Sequence, residues 1–198
     1  ILNQNTPNFI VVVYNDCSTD KTQEILARFD DKRLKVINGE VELGMPSKCM
    51  NVMFDLGIPA EYETKIDGDN EISPNWIDAM CMGEVTYSSY RAENNGSPQL
   101  RDCIAPNYDS KALYAQYYMG PSFCWPQQIR KCWKPLVGKG GHIEEVWVED
   151  WQAMLLCQEA GATITPVKDF LFLYREYNGN ATSRLLNTTE QKVAMEIA

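Results

Sequence analysis

The first marked apolar run is Phe9-Ile10-Val11-Val12-Val13-Tyr14, continuous and rich in β-branched residues. A run of that kind predicts a strand covered on both faces. The polar stretch Asn15-Asp16-Cys17-Ser18-Thr19-Asp20 then predicts a turn. Thr19 or Asp20 is placed to cap a helix carrying Ile25, Leu26 and Phe29. Leu34–Ile37 reads as a second strand. Pro46–Leu56 reads as a helix, with Met50, Met53 and Phe54 on one side and Gly57 as its stop. Tyr62–Asp67 alternates like a short strand, and Ser73-Pro74 opens a helix through Met80. Strand, helix, strand, helix, strand predicts an α/β fold, with a parallel sheet covered by helices on both faces. Ligands in such sheets bind beyond the carboxyl ends of the strands, where the turns 15–20 and 67–70 would share one crevice.

The second half is patterned less clearly. Val85–Tyr90 predicts a strand, and residues 91–109, rich in Asn, Gly, Pro and Ser, predict a loop. Lys111–Tyr118 is a candidate helix, Gly120–Trp125 an extended segment, and Pro126–Trp133 helical. Val137–His142 is glycine-rich, yet it matches neither a phosphate-binding loop nor a dinucleotide fingerprint. Glu149-Asp150 opens a helix in which Trp151, Met154, Leu155 and Gln158 share a face, and Gly161 ends it. Thr163–Val167 and Phe170–Tyr174 predict two strands. Residues 175–183 are polar, and the tail from Leu185 is weakly helical. There is no internal repeat.

Length and charge narrow the classes. A chain of 198 residues with 44% hydrophobic and 23% charged positions is ordinary single-domain material. A net charge of −9 argues against nucleic-acid binding, which leaves a basic footprint. No apolar run approaches a membrane span. Seven cysteines without a C-x-x-C pair suit a reducing compartment better than a disulfide framework or a zinc site. The expected setting is cytoplasmic, or peripheral to a membrane.

Candidate chemistry centres on Asp67-Gly68-Asp69. Two carboxylates one residue apart at a strand end can point oxygens at one hard cation. Mg²⁺ and Mn²⁺ prefer such ligands and commonly share their shell with substrate phosphates. The competing reading is a glycine turn with solvated acids. An EF-hand is excluded, because its sixth and twelfth positions need Gly and Glu and here hold Ile72 and Asp78.

Several motifs together resemble family 2 glycosyltransferases with the GT-A fold. Asn15–Asp20 resembles their D-D-G-S-T-D turn, and Lys65-Ile66-Asp67-Gly68-Asp69-Asn70 their L-D-x-D-D segment. Gly44–Asn51 is similar to the helix before that segment, and Val148-Glu149-Asp150-Trp151 to the E-D helix start. Leu173-Tyr174-Arg175 with Asn180 and Ser183 is similar to the closing Y-R stretch. The resemblance spans roughly residues 1–185. It implies a GT-A fold with a mostly parallel central sheet. Residues 1–80 would form the nucleotide-sugar half, incomplete at its N-terminus. Residues 81–198 would form the acceptor half and C-terminal segment of the same domain. It also implies transfer of a sugar, with inversion, from a UDP, GDP or dTDP donor to a carbohydrate or glycoconjugate hydroxyl, with Mn²⁺ or Mg²⁺. Asp16 and Arg175 would contact the donor, Asp67 the ribose or the metal, and Asp69 the metal. Asp150 would be the general base, which must take the acceptor proton as the new bond forms. Glu149 and Trp151 would lie on the acceptor side.

Competing readings accompany these roles. Asp150 could simply favour a helix N-terminus, and Arg175 could form a surface ion pair. His142 reads as a solvated loop residue. Of Trp125, Trp133, Trp147 and Trp151, at most one or two are expected to stack on sugars.

The sequence also departs from the pattern. Asn15, Cys17 and Asn70 replace an acid, a glycine and an acid. Ile1–Gln4 looks like the end of the family's first helix, so the strand that lies mid-sheet is expected to be missing. That would leave unpaired edges, either because the chain is shortened or because another segment fills the slot. The alternatives are therefore a catalytically silent nucleotide-sugar or carbohydrate-binding domain on the same fold, and a nucleotidyltransferase.

Overall fold

The computed structural model describes residues 1–94, 96–97, 99–115, 118–133 and 149–177. Its elements run β1 (Val11–Asn15), α1 (Thr22–Leu26), β2 (Leu34–Asn38), α2 (Pro46–Asp55), β3 (Tyr62–Glu63), β4 (Glu71–Ile72) and α3 (Trp76–Met80). They continue with β5 (Val85–Asn94), β6 (Leu100–Cys103), α4 (Ser110–Ala115), β7 (Phe123–Pro126), a 3₁₀ turn (Gln127–Ile129), α5 (Arg130–Trp133), α6 (Glu149–Glu159) and β8 (Ile164–Glu176). The glycine-rich segment 137–142, Trp147 and the tail from 178 lie outside the described residues.

The strands form two sheets among the described residues. β1 pairs only with β2, in parallel. The larger sheet has the order β3-β7-β5-β8-β4, with β6 also on β5. This corrects the expected mostly parallel sheet: β5–β8 is parallel, whereas β3–β7, β4–β8, β5–β6 and β5–β7 are antiparallel. The strand–helix alternation that implies parallel pairing stops near residue 60. Beyond it, β5 and β6 form a hairpin, with Ser97 N–H donating to the Asn94 carbonyl (2.9 Å) and Gly96 at φ 70°. That hairpin replaces much of the loop expected over 91–109. Its arms, such as Arg91, Glu93 and Asp102, are too polar to alternate visibly. The two strands expected at 163–174 are one strand, β8. Its register against β5 shifts around Ser89, a bulge holding Lys168 and Asp169.

The helices cover both faces of the larger sheet, as strand periodicity in β7 shows. Phe123 and Trp125 point into a core with Val85 and Tyr87 of β5, Leu113 of α4, and Trp151 and Met154 of α6. Cys124, between them, points to the opposite face, where Trp76 and Met80 of α3 pack with Val167 and Leu171 of β8. Buried hydroxyls of the sheet are satisfied: Trp76 Nε1 donates to Ser122 Oγ (3.1 Å), and Ser122 and Ser88 share a 2.7 Å hydrogen bond.

The smaller sheet is joined to the larger through its ends. Gln4 Nε2 donates to the Ser73 carbonyl (2.7 Å), and its Oε1 accepts from Ile77 N–H (3.0 Å), satisfying the start of α3. Phe54 of α2 meets Trp125 edge-to-face at 6.4 Å. Beneath that contact, Glu63 accepts from Arg130 Nε (2.9 and 3.0 Å) and from Gln127 Nε2 (2.9 Å), while Arg130 also donates to the carbonyls of Phe54 and Ile58. Among the described residues no strand links β1 and β2 to the larger sheet. Val11–Tyr14, expected to be buried on both faces, is only half-buried because one strand flanks it.

Candidate active site

The candidate residues lie on two polar turns and at one helix start. The turn after β1 is held by its own side chains. Asn15 is buried, its Nδ2 donates to Asn38 Oδ1 (2.9 Å), and its Oδ1 accepts from Ser18 N–H (3.2 Å). Asp16 accepts from Leu43 N–H (2.7 Å) and Gly44 N–H (2.8 Å) with its two oxygens. The residue expected to meet the donor therefore also shapes the loop that opens α2. Nearby, burial and Asp16 push the Cys49 thiol up to about 11. Asp20, not Thr19, supports α1, accepting from Thr22 N–H (2.9 Å). Hydrogen bonds from the Thr22 hydroxyl and, second, from its N–H hold the Asp20 carboxyl below the usual range.

Cys17 stands at φ 57°, a left-handed conformation that favours glycine. This is where the family pattern has glycine, so the backbone shape is kept although the residue is not. A thiol contact to the Gly39 carbonyl (3.3 Å) accompanies it. We expect Cys17→Gly to stabilise the fold by up to about 1 kcal/mol, and the β-branched Cys17→Val to cost about 1–2 kcal/mol. Urea midpoints check the ordering; Val equal to wild type would contradict it.

The second turn follows β3. Asn70 N–H donates to the Asp67 carbonyl (3.1 Å), folding the Asp67-Gly68-Asp69 segment back into β4. Asp69 Oδ2 accepts from Tyr177 Oη–H (3.2 Å), and its carbonyl accepts from Arg175 Nη1 (3.0 Å). Arg175 also pairs with Glu71 and, at 3.6 Å, with Glu93. Here Arg175 acts as a brace between β8 and the acidic turn, whereas the motif assigned it to the donor. Asn70 is buried and accepts from Arg175 N–H (3.1 Å), while its Nδ2 has no partner among the described residues.

Across from this turn lies the start of α6. Lys65 Nζ is 3.7 Å from Asp67 Oδ1 and 3.5 Å from Asp150 Oδ1. One ammonium thus spans the acidic turn and the helix start. Lys65 is 14% exposed and Asp150 25%, so neither is a freely solvated charge. Asp67 is 46% exposed and faces open solvent. Lys65 was not singled out from the sequence; its signal was the i, i+2 spacing to Asp67, which puts both on one face of an extended segment.

Trp151 is not available to an acceptor sugar. Its side chain is 5% exposed in the core, and its Nε1 donates to the Leu113 carbonyl (2.7 Å). Trp125 is buried as well. Glu149 begins α6, but its side chain, like that of Trp133, lies outside the described residues.

The donor set offers oxygen only. Among the described residues no three His, Cys, Asp or Glu side chains are grouped to hold a metal. Asp67 and Asp69 could fill part of a shell. That suits a hard cation completed by phosphate oxygens and water, and does not suit an all-protein cage. No helix among the described residues is long and apolar enough to cross a membrane.

Residues 1–81, which carry both acidic turns, match the family described as Glycosyl transferase family 2. An uncharacterized glycosyltransferase of Haemophilus influenzae is 34% identical over 90 residues, 44% of this chain and 26% of that protein. Among solved structures, S. aureus TarS superposes with a TM-score of 0.63 at 22% identity, over 87% of this chain and 32% of that one. TarS 1–349 in complex with UDP gives 0.60 at 20% identity, over 87% of this chain and 53% of that one. The resemblance read from the motifs therefore holds over the N-terminal 81 residues, and the chain shares the mixed α/β fold of TarS. The chain spans about half or less of the length of the proteins it matches.

Proposed function

We propose that this chain carries the donor site and base of an inverting glycosyltransferase that uses a nucleotide-diphosphate sugar and Mn²⁺ or Mg²⁺. The observation that supports it most is Lys65 reaching Asp67 and Asp150 at once. It brings the acidic turn and the helix start, remote in sequence, to one place. The UDP-bound TarS neighbour and the match over residues 1–81 favour a nucleotide-sugar donor.

In this reading Asp67 and Asp69 would hold the cation, which would supply positive charge to offset that on a departing diphosphate. Asp150 accepts the proton of the acceptor hydroxyl as its oxygen attacks the anomeric carbon. With no covalent intermediate, a single displacement inverts that carbon. Lys65 offsets the repulsion between Asp67 and Asp150 and keeps both carboxylates in place. Asp16 contacts the nucleoside through the loop it organises. Arg175 and Tyr177 hold Asp69 in position. The acceptor is a carbohydrate or glycoconjugate hydroxyl, in polysaccharide or glycoconjugate synthesis, and the setting is the cytoplasm or a membrane surface.

A second reading is a nucleotide-sugar-binding domain without turnover. The engagement of both Asp16 oxygens by backbone amides favours it. Nucleotide release from UDP-, GDP- and dTDP-sugars, with Mn²⁺ and with chelator, separates the two. Release with one donor that stops on chelation supports transfer. Calorimetric binding without release supports the silent domain, and no binding to any of them removes both.

A further inference from the structure

Cys81 and Cys124 lie outside the acidic site, on the opposite face of the larger sheet from α6. Cys81 follows α3 directly, and its N–H still donates to the Ile77 carbonyl (3.0 Å). Cys124 is in the middle of β7, buried against α3 and β8. Their sulfur atoms are 3.5 Å apart, within sulfur hydrogen-bonding distance. Both are thiols, and Cys81 is partly exposed where Cys124 is buried. That is the arrangement of an attacking thiol with a resolving partner behind it. We propose that Cys81 and Cys124 form a built-in oxidation site, in which a peroxide converts the pair to a disulfide.

The geometry asks for little movement. A disulfide needs sulfurs about 2.05 Å apart. Cys81 caps a five-residue helix at φ −84°, ψ 73°, already outside helical geometry, so its side chain can turn towards β7 without unwinding a long element. Access is one-sided, so the order of steps follows. The Cys81 thiolate attacks a peroxide oxygen, the O–O bond breaks, and the leaving oxygen takes a proton. Cys81 is then a sulfenic acid, and the peroxide has been reduced by two electrons to an alcohol or water. The Cys124 sulfur attacks the Cys81 sulfur, the S–O bond breaks, and the oxygen departs as water with the Cys124 proton. A hydrogen bond from the Cys124 thiol favours the Cys81 thiolate and lowers its pKa, while that same hydrogen bond and, second, burial raise the pKa of Cys124. This matches their order of action.

Other cysteines are engaged differently. Cys17 contacts the Gly39 carbonyl, and Cys103 the Arg101 carbonyl. The Cys49 thiol is held protonated by burial and Asp16. The bond would tie the end of α3 to β7, closing a loop that contains β5, β6 and α4. It needs no turnover of a sugar donor, so its test is independent of the glycosyl-transfer reading.

The experiment treats the reduced full chain with hydrogen peroxide, blocks remaining thiols by alkylation and maps the peptides by mass. We expect the Cys81 and Cys124 peptides to be joined, with a loss of about 2 Da, and the unfolding midpoint to rise by about 5–10 °C. Dithiothreitol should reverse both changes. Cys81→Ser should leave Cys124 alkylatable under the same peroxide dose. A Cys81 sulfinic or sulfonic acid with Cys124 still alkylatable would overturn the proposal, as would either cysteine joined to a different partner. Cys124→Ala, if it folds, should leave Cys81 as a sulfenic acid that a dimedone-type trap captures.

Discussion

Asp150→Asn should abolish sugar transfer, by about 10³-fold or more in kcat, while leaving nucleotide and Mn²⁺ affinity within a few-fold of wild type. The amide is isosteric but cannot take a proton. Its unchanged size keeps the start of α6 intact. Lys65 loses Asp150 as an ion partner and retains Asp67, 3.7 Å away. The loss should therefore fall on the chemical step rather than on binding. A paired measurement, calorimetry for the nucleotide and initial rates for release, reads the two separately. Asp150→Asn with near wild-type turnover would remove Asp150 as the base. A parallel loss of binding and rate would instead assign it a structural role at the helix start.

Glu63→Ala is expected to have the largest effect on stability, about 2–4 kcal/mol. The carboxylate receives Arg130, Gln127 and the Trp125 indole N–H (3.3 Å). Arg130 is only 22% exposed, so removing its partner leaves a guanidinium with little access to water. The pair raises the Arg130 pKa, mainly through the hydrogen bonds to Glu63; without Glu63 the guanidinium still keeps its charge, because arginine stays protonated at any ordinary pH. Phe54 lies beneath the guanidinium carbon at 5.5 Å, and the same Phe54 packs on Trp125. The change therefore loosens the junction between the two sheets as well as one ion pair. Urea denaturation of the variant should show a lower midpoint, and the double variant Glu63→Leu with Arg130→Met should recover most of the loss. A cost under about 0.5 kcal/mol, the range of ordinary surface changes, would contradict this account. Because β3 runs directly into Lys65 and Asp67, a loosened Glu63 should also weaken nucleotide binding.

The acidic segments were legible because each is announced by local chemistry. A β-branched run ending in polar residues marks the turn after β1. Alternation broken at Gly68 marks the turn at Asp67. Glu149-Asp150 before an apolar face marks α6. The left-handed backbone at Cys17 was legible only through the motif, since cysteine itself carries no such signal. Residues 91–109 were misread because a hairpin between polar arms has no apolar period. β8 was divided because its bulge at Lys168-Asp169 resembles a turn. The side chain of Trp151 was assigned to the acceptor because an aromatic beside an acid looks the same in sequence whether it faces solvent or core.

The chain's order of residues determined where the short elements begin and where the carboxylates fall, because caps, glycine turns and β-branched runs act over a few positions. Only the tertiary structure decided the direction of each pairing, the burial of Trp151, the brace from Arg175 and the bridge made by Lys65. Those depend on which segments meet after dozens of intervening residues. Contacts of that range are selected by how apolar faces pack together, and no local period records the outcome.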